Sequence, residues 1–195
     1  MTKRAFIVHG YLGYPQEAWL PWIKTELEKH GFQVALPLMP DPARPIVSEW
    51  TRFIDKLVGE PDRNTVMIAH SVGCHAVLRY LETLGETGKS VGKTVLVAGR
   101  YPAGMSLQAA REKAQGDEAL LPWLTLSVDP AKVAKAIGKC TFILSDNDPY
   151  IPFKEAKAGI PDELAAELIV EAGKGHFNED DRVNELPSAL KAAIT

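Results

Sequence analysis

Thr65-Val-Met-Ile-Ala69-His70-Ser71-Val72-Gly73 carries the decisive signal in this chain. Thr65 to Ala69 is almost wholly apolar and reads as a strand buried on both faces. Val72 to Leu84, ended by Gly85, reads as a helix. Ser71 stands at the junction in the pattern x-H-S-x-G, with Ala69 where a nucleophile elbow G-x-S-x-G has its first glycine. Such a turn needs small flanking residues, and Ala69 and Gly73 are both small. It would lift the Ser71 hydroxyl to a helix N-terminus, where the dipole and free N–H groups favour developing negative charge. A short S-x-G pattern is weak by itself, and the bland alternative is Ser71 as a simple helix N-cap.

The same strand-then-helix rhythm extends in both directions. Strands are expected at Ala5–His9, Gln33–Met39, Lys93–Ala98, Thr141–Ser145 and Ala166–Glu171. Helices are expected from Gln16 to His30, from an N-cap at Ser48 through Val58, and from Val183 to Ile194. Alternation of this kind predicts an α/β three-layer sandwich of about six mostly parallel strands with helices on both faces. A single domain over residues 1–195 is expected. Residues 99–138 break the rhythm, with a helical stretch at Ser106–Ala114, an apolar knot at Leu120–Leu124 and a helix opened by Asp129-Pro130. They leave the carboxyl end of a strand, where ligand sites form, and are a candidate small cap.

The 195 residues carry 22 Lys and Arg against 25 Asp and Glu, a net charge of −3. No global basic field favours nucleic acid. No apolar run approaches the roughly 20 residues of a membrane span, and the apolar start breaks at His9-Gly10, too soon for a signal peptide. With Cys74 and Cys140 as the only cysteines, a disulfide framework and a zinc site are both disfavoured, and a cytoplasmic location is expected.

A serine hydroxyl needs a base, and the base needs an orienting acid. The expected fifth strand runs into Ser145-Asp146-Asn147-Asp148-Pro149-Tyr150, and the sixth is followed by Gly173-Lys174-Gly175-His176-Phe177. Serine, acid and histidine thus occur in the chain order of α/β-hydrolases, each after a strand. Pro149 restricts Asp148, which suits an acid that fixes one imidazole orientation. Asp146 is read instead as turning the chain through nearby backbone N–H groups. Val8-His9-Gly10-Tyr11-Leu12-Gly13 follows the first strand, so the Tyr11 and Val72 backbone N–H groups are the expected oxyanion donors.

These motifs resemble the small α/β-hydrolase family of retinoblastoma-binding protein nine and the bacterial YdeN-type serine hydrolases. The resemblance rests on Val8-His9-Gly10-Tyr11, Trp19-Leu-Pro-Trp22, Leu36-Pro-Leu-Met-Pro40 with Glu49-Trp50, His70-Ser71-Val72-Gly73-Cys74, Asp148-Pro149-Tyr150-Ile151-Pro152 and Gly175-His176-Phe177-Asn178. It implies a compact α/β-hydrolase without a large cap domain. It also implies Ser71 as nucleophile, Asp148 as acid and His176 as base. Ala69 is a mild departure, and residues 99–138 match poorly, so no substrate is carried over.

The expected activity is hydrolysis of a small carboxylic ester through an acyl-enzyme, with no cofactor and no metal. An amidase or peptidase of the same mechanism is the alternative, as is a protein-binding module on a hydrolase scaffold. The partner expected is a small-molecule ester, with neither nucleic acid nor membrane; a protein partner is left open. Leu12, Tyr101, Trp123 and Tyr150 are candidate pocket residues. Trp19, Trp22 and Trp50 are read as core. His70 is read as supporting or packing, and His9, His30 and His75 as structural or solvated. Convergence of His9, His70, Asp146, Asp148 and His176 on a metal is disfavoured, since no ligand spacing supports it. Glu179-Asp180-Asp181 is read as complementing the N-terminus of the last helix.

Overall fold

A computed structural model describes residues 2–195. Six strands form one sheet: β1 (Lys3–Val8), β2 (Phe32–Ala35), β3 (Thr65–His70), β4 (Lys93–Val97), β5 (Lys139–Ser145) and β6 (Glu167–Glu171). Their order across the sheet is β2-β1-β3-β4-β5-β6, and every pairing is parallel. Helices α1 (Leu20–Lys29), α2 (Val47–Val58) and α3 (Val72–Gly85) connect the first four strands. Between β4 and β5 lie α4 (Leu107–Ala114), a 3-10 turn (Glu118–Leu120), α5 (Leu121–Thr125) and α6 (Pro130–Ala134). Helix α7 (Phe153–Ala158) leads towards β6, and α8 (Pro187–Ile194) closes the chain.

Side chains alternate along a strand, so a central strand feeds two cores. Phe6, Val8, Met67, Ala69 and Leu96 face one side, where they meet Trp50 and Ile54 of α2 and Val77 and Leu81 of α3. Ala5, Ile7, Val66, Ile68 and Val95 face the other, against Leu20, Ile23 and Leu27 of α1 and Ala189 of α8. Each such leucine or isoleucine, fully buried, stabilises the fold by roughly 1.5–3 kcal/mol. The sheet is thereby covered on both faces and presents its carboxyl edge to the loops.

Strand ends shift by a residue or two, and four larger shifts have a physical reason. Helix α1 begins at Leu20 rather than Gln16, with Pro21 in its first turn, where the missing N–H costs nothing. Helix α2 begins at Val47 with Ile46 at the cap, so Ser48 lies inside the helix and caps nothing. Strand β2 stops at Ala35; it is an edge strand, and the chain beyond it turns inward, burying Met39. The last helix begins at Pro187, although Val183 and Leu186 before it are buried as an early helical start would require. Their burial comes from loop packing and imitates a helical stripe.

The segment after β4 is fastened to the body by specific hydrogen bonds. Ser106 caps α4 by accepting from Ala109 N at 3.3 Å, and Asp129 caps α6 by accepting from Ala131 N at 2.9 Å. The Trp123 indole donates to Pro45 O at 2.8 Å. Arg79 on α3 donates to the carbonyls of Leu126 at 2.6 Å and Ser127 at 3.2 Å. No helix among the described residues is long and apolar enough to cross a membrane.

Candidate active site

Ser71 occupies the sharp turn between β3 and α3 with φ +53° and ψ −122°, a conformation rarely adopted by a residue with a side chain. It sits at the cap position of α3, yet its hydroxyl caps nothing. The turn closes against β1: a Cβ at Gly73 would lie 2.5 Å from His9 O and 2.6 Å from Val8 O. Only glycine fits there, which explains the small residue two places after the serine. Ala69, two places before it, is completely buried.

The hydroxyl turns to His176, whose Nε2 lies 2.9 Å from Ser71 Oγ. The other ring nitrogen, Nδ1, lies 2.8 Å from Asp148 Oδ2. A carboxylate facing Nδ1 selects the tautomer in which Nδ1 donates and Nε2 accepts from the serine hydroxyl. The Asp148 side chain is 2% exposed and that of His176 is 10% exposed, so this chain of contacts is largely dry. Asp148 Oδ1 accepts from Tyr150 N at 2.8 Å and Ile151 N at 2.9 Å. The local turn expected of Asp146 is therefore made by Asp148 itself. Asp146 instead reaches across to accept from Gly173 N at 2.8 Å.

The acid loop and the histidine loop are cross-braced. Asn147 Oδ1 accepts from Gly175 N at 2.8 Å, and Ser145 Oγ accepts from Lys174 N at 3.0 Å. Asp181 Oδ2 accepts from His176 N at 2.7 Å. This corrects the reading of the acidic run: the last helix starts too late for Asp181 to serve it, and the carboxylate holds the histidine loop. His70 Nε2 donates to His176 O at 2.8 Å. Burial, and then the neighbouring His176, hold His70 down to about 3, so its ring is neutral. His9 accepts from Met39 N at 2.9 Å through Nε2 and donates from Nδ1 to Gly10 O at 2.9 Å. His9, His70 and Asp146 thus have protein partners that account for them without a metal.

Residues 5–193 match the family described as serine hydrolase. The chain belongs to that family. It is 32% identical to YdeN of Bacillus subtilis (strain 168) over 187 residues, covering 96% of this chain and 92% of that protein. It is 30% identical to the serine hydrolase RBBP9 of Rattus norvegicus, covering 98% of this chain and 96% of the rat protein. The crystal structure of the B. subtilis ydeN gene product superposes with a TM-score of 0.82 at 28% identity, covering 97% of this chain and 96% of that one. Est1E from Butyrivibrio proteoclasticus shares the fold at 14% identity, with a TM-score of 0.72 and coverage of 98% and 85%.

In this serine hydrolase, Ser71 and His176 open onto a cavity of about 670 Å³. Tyr11 and Val72 line it, and neither backbone N–H donates to another group among the described residues. Leu12, Trp123 and Tyr150 also line it, with the Tyr150 ring edge-on to His176 at 5.0 Å. Tyr101 does not. It is buried in the core, where its hydroxyl donates to Val128 O at 3.1 Å and fastens the base of the cap segment. An aromatic in an irregular segment suggested a pocket residue, but packing claimed it.

Two charged residues of the cavity carried no motif. Glu17 lies beneath the His9–Gly13 loop with one buried oxygen that has no partner, and burial raises its carboxyl above the usual range. Arg100 follows β4 and lines the same cavity. Neither belongs to a periodic stripe or a spaced motif, so nothing in the chain marks them before the fold brings them to the site.

Proposed function

We propose that this serine hydrolase cleaves small carboxylic esters through an acyl-enzyme intermediate, with Ser71 as nucleophile, His176 as base and Asp148 as the orienting acid. The single observation that carries this reading is the unbroken contact chain Ser71 Oγ–His176–Asp148, at 2.9 and 2.8 Å. Ser71 Oγ attacks the ester carbonyl carbon while its proton passes to His176 Nε2. The Asp148 carboxylate stabilises the imidazolium, and the oxyanion accepts from the Tyr11 and Val72 N–H groups. Collapse breaks the ester C–O bond, His176 returns its proton to the departing alkoxide, and the alcohol leaves. Water, deprotonated by His176, then attacks the acyl-enzyme and releases the acid and free Ser71. An ester is favoured over an amide because an alkoxide departs more readily than an amine.

A fluorophosphonate probe on the folded protein tests this. Labelling is expected on Ser71 alone, and Ser71→Ala is expected to lose labelling and roughly 10³-fold or more of esterase kcat. Absence of labelling in folded protein would favour a binding module on this scaffold. Labelling with faster turnover of amides than of matched esters would make it an amidase.

A further inference from the structure

The geometry points to a carboxylate on the substrate, held by Arg100 in the wall of the cavity; this rests on the esterase reading of the site. Arg100 leaves β4 directly beside the elbow. A Cβ at the preceding Gly99 would sit 2.6 Å from Cys74 Cβ and 4.0 Å from Ser71 O, so the backbone there presses against the first turn of α3. The next residue is thereby delivered to the cavity that Ser71 faces.

Arg100 is half-buried, and its side chain makes no hydrogen bond or ion pair among the described residues. Burial lowers its pKa, and the Glu155 carboxylate acts against that shift. Glu155 is already engaged by Lys113 at 3.0 Å. Its cationic charge also reaches the buried His75 ring, which lines the same cavity and is held neutral chiefly by burial. A half-buried guanidinium without a partner is costly, and a ligand anion would remove that cost.

The charge count selects the ligand. Of the two cations that line the cavity, Lys113 is paired with Glu155, which lies outside the lining, and Arg100 is left with one positive charge that no side chain pairs. A monoanion balances it, whereas a phosphate dianion would overshoot. Three carboxylates also line the cavity. Asp117 is taken by the Tyr11 hydroxyl and by Ala119 N, Glu17 lies under the first loop, and Asp180 is exposed at the rim. The planar fork of arginine matches a carboxylate in a bidentate pair. The substrate class is therefore an ester that also bears a free carboxylate, on its acyl or its alcohol side.

Two matched pairs of small esters test this. Monomethyl glutarate against methyl 4-nitrobutyrate places an anion or a neutral isostere on the acyl side. Acetoxyacetate against 2-acetoxyacetamide does so on the alcohol side. Hydrolysis is followed by proton NMR at neutral pH, and the readout is the ratio of kcat/KM, anionic over neutral, within each pair. At least one pair is expected to show a ratio of roughly 10 to 100, the span of a charge-assisted hydrogen-bonded contact. That ratio should collapse towards one in Arg100→Gln, persist in part in Arg100→Lys, and shrink with added salt in the wild type. Ratios near or below one in both pairs would overturn the proposal, as would a high ratio that Arg100→Gln leaves intact. Should Arg100→Gln not fold, Arg100→Lys and the salt series decide by the same criteria. Labelling of the wild type by a neutral fluorophosphonate keeps the two readings apart: with labelling and no preference the carboxylate site fails alone, and without labelling the esterase reading fails first.

Discussion

The acid and histidine loops and the cap segment meet at one cavity but are built differently. The loops after β5 and β6 are tied to one another by short polar contacts, Asp146 to Gly173, Asn147 to Gly175 and Ser145 to Lys174, and the second loop is braced within itself by Asp181 to His176. The cap segment is tied mainly to the body, through Arg79, His75, Glu82 and Glu86 of α3 and through Trp123 to Pro45; it meets the first loop at Tyr11–Asp117 and α7 at Lys113–Glu155, and it has no hydrogen bond to residues 145–148 or 173–176 among the described residues. Dense bracing holds an imidazole in one orientation. Fastening that leaves residues 145–148 and 173–176 alone gives a wall whose residues can vary without disturbing that orientation. On the proposed mechanism the first region fixes the chemistry and the second selects what reaches it.

The sharpest way to break this contrast lies at the acid. Asp148→Asn is expected to reduce kcat by roughly 10²–10⁴-fold, because an amide facing Nδ1 no longer selects the right tautomer. Asp146→Asn, which retains an oxygen for Gly173 N, should keep kcat within a few-fold and lower stability by about 1 kcal/mol or less. Measuring kcat and Tm for both variants decides, and a dead Asp146→Asn enzyme beside an active Asp148→Asn one would reverse the roles.

Acid tests both regions at once, since each is anchored to a buried neutral histidine of the body, His70 at the end of β3 and His75 in α3. His70 donates to His176 O in the braced loops, and His75 donates from Nδ1 to Trp123 O in the cap. Burial lowers both to about 3 from an ordinary value near 6.5. Between those values the unfolded chain binds the proton and the folded chain refuses it. Stability is therefore intact above about 6.5 and falls as pH drops towards 3, by up to about 1.4 kcal/mol per pH unit for each ring. Denaturant unfolding from pH 7 to 4 should show this slope. His70→Gln and His75→Asn, which keep a donor near Nε2 and Nδ1 respectively, should each lessen the slope, with buried His9 contributing to what is left. A stability flat across that range would mean the rings are protonated in the fold.

Smaller effects sharpen the contrast. Asp181→Ala frees the backbone at His176 and is expected to lower kcat by roughly 10-fold with little change in KM, as a slightly misplaced base would. Arg79→Met removes two donors to cap carbonyls and is expected to cost about 1 kcal/mol in stability, with a few-fold rise in KM and kcat held within two-fold. If the two variants exchanged signatures, the division of labour between loops and cap would be lost.

How far the sequence disclosed all this follows from the same division. The strands were legible because a buried parallel strand must be apolar on both faces, as Thr65–Ala69 is. Ser71, Asp148 and His176 were legible because each sits in a motif whose neighbours are constrained, and the structure brings the three into contact. The role of Asp181 was not. An acidic run before a helix has an obvious local use, and only the tertiary position of the histidine loop reveals the other one. Tyr101 misled for the opposite reason, since nothing local separates an aromatic that lines a cavity from one that roofs a core. Arg100 and Glu17 left no trace, because a single charge carries no period.

From β3 onward the order of strands across the sheet is their order along the chain. Each new strand has its docking edge waiting when it is made, and growth of the sheet can follow synthesis. The serine arrives with β3, the acid after β5 and the histidine only after β6. A nascent chain halted before the last strand would carry its hydroxyl and its carboxylate but lack both the imidazole between them and the loop that braces the acid. On the proposed triad, reactivity is withheld until the sheet is complete, so a half-made copy cannot acylate itself on whatever ester drifts past.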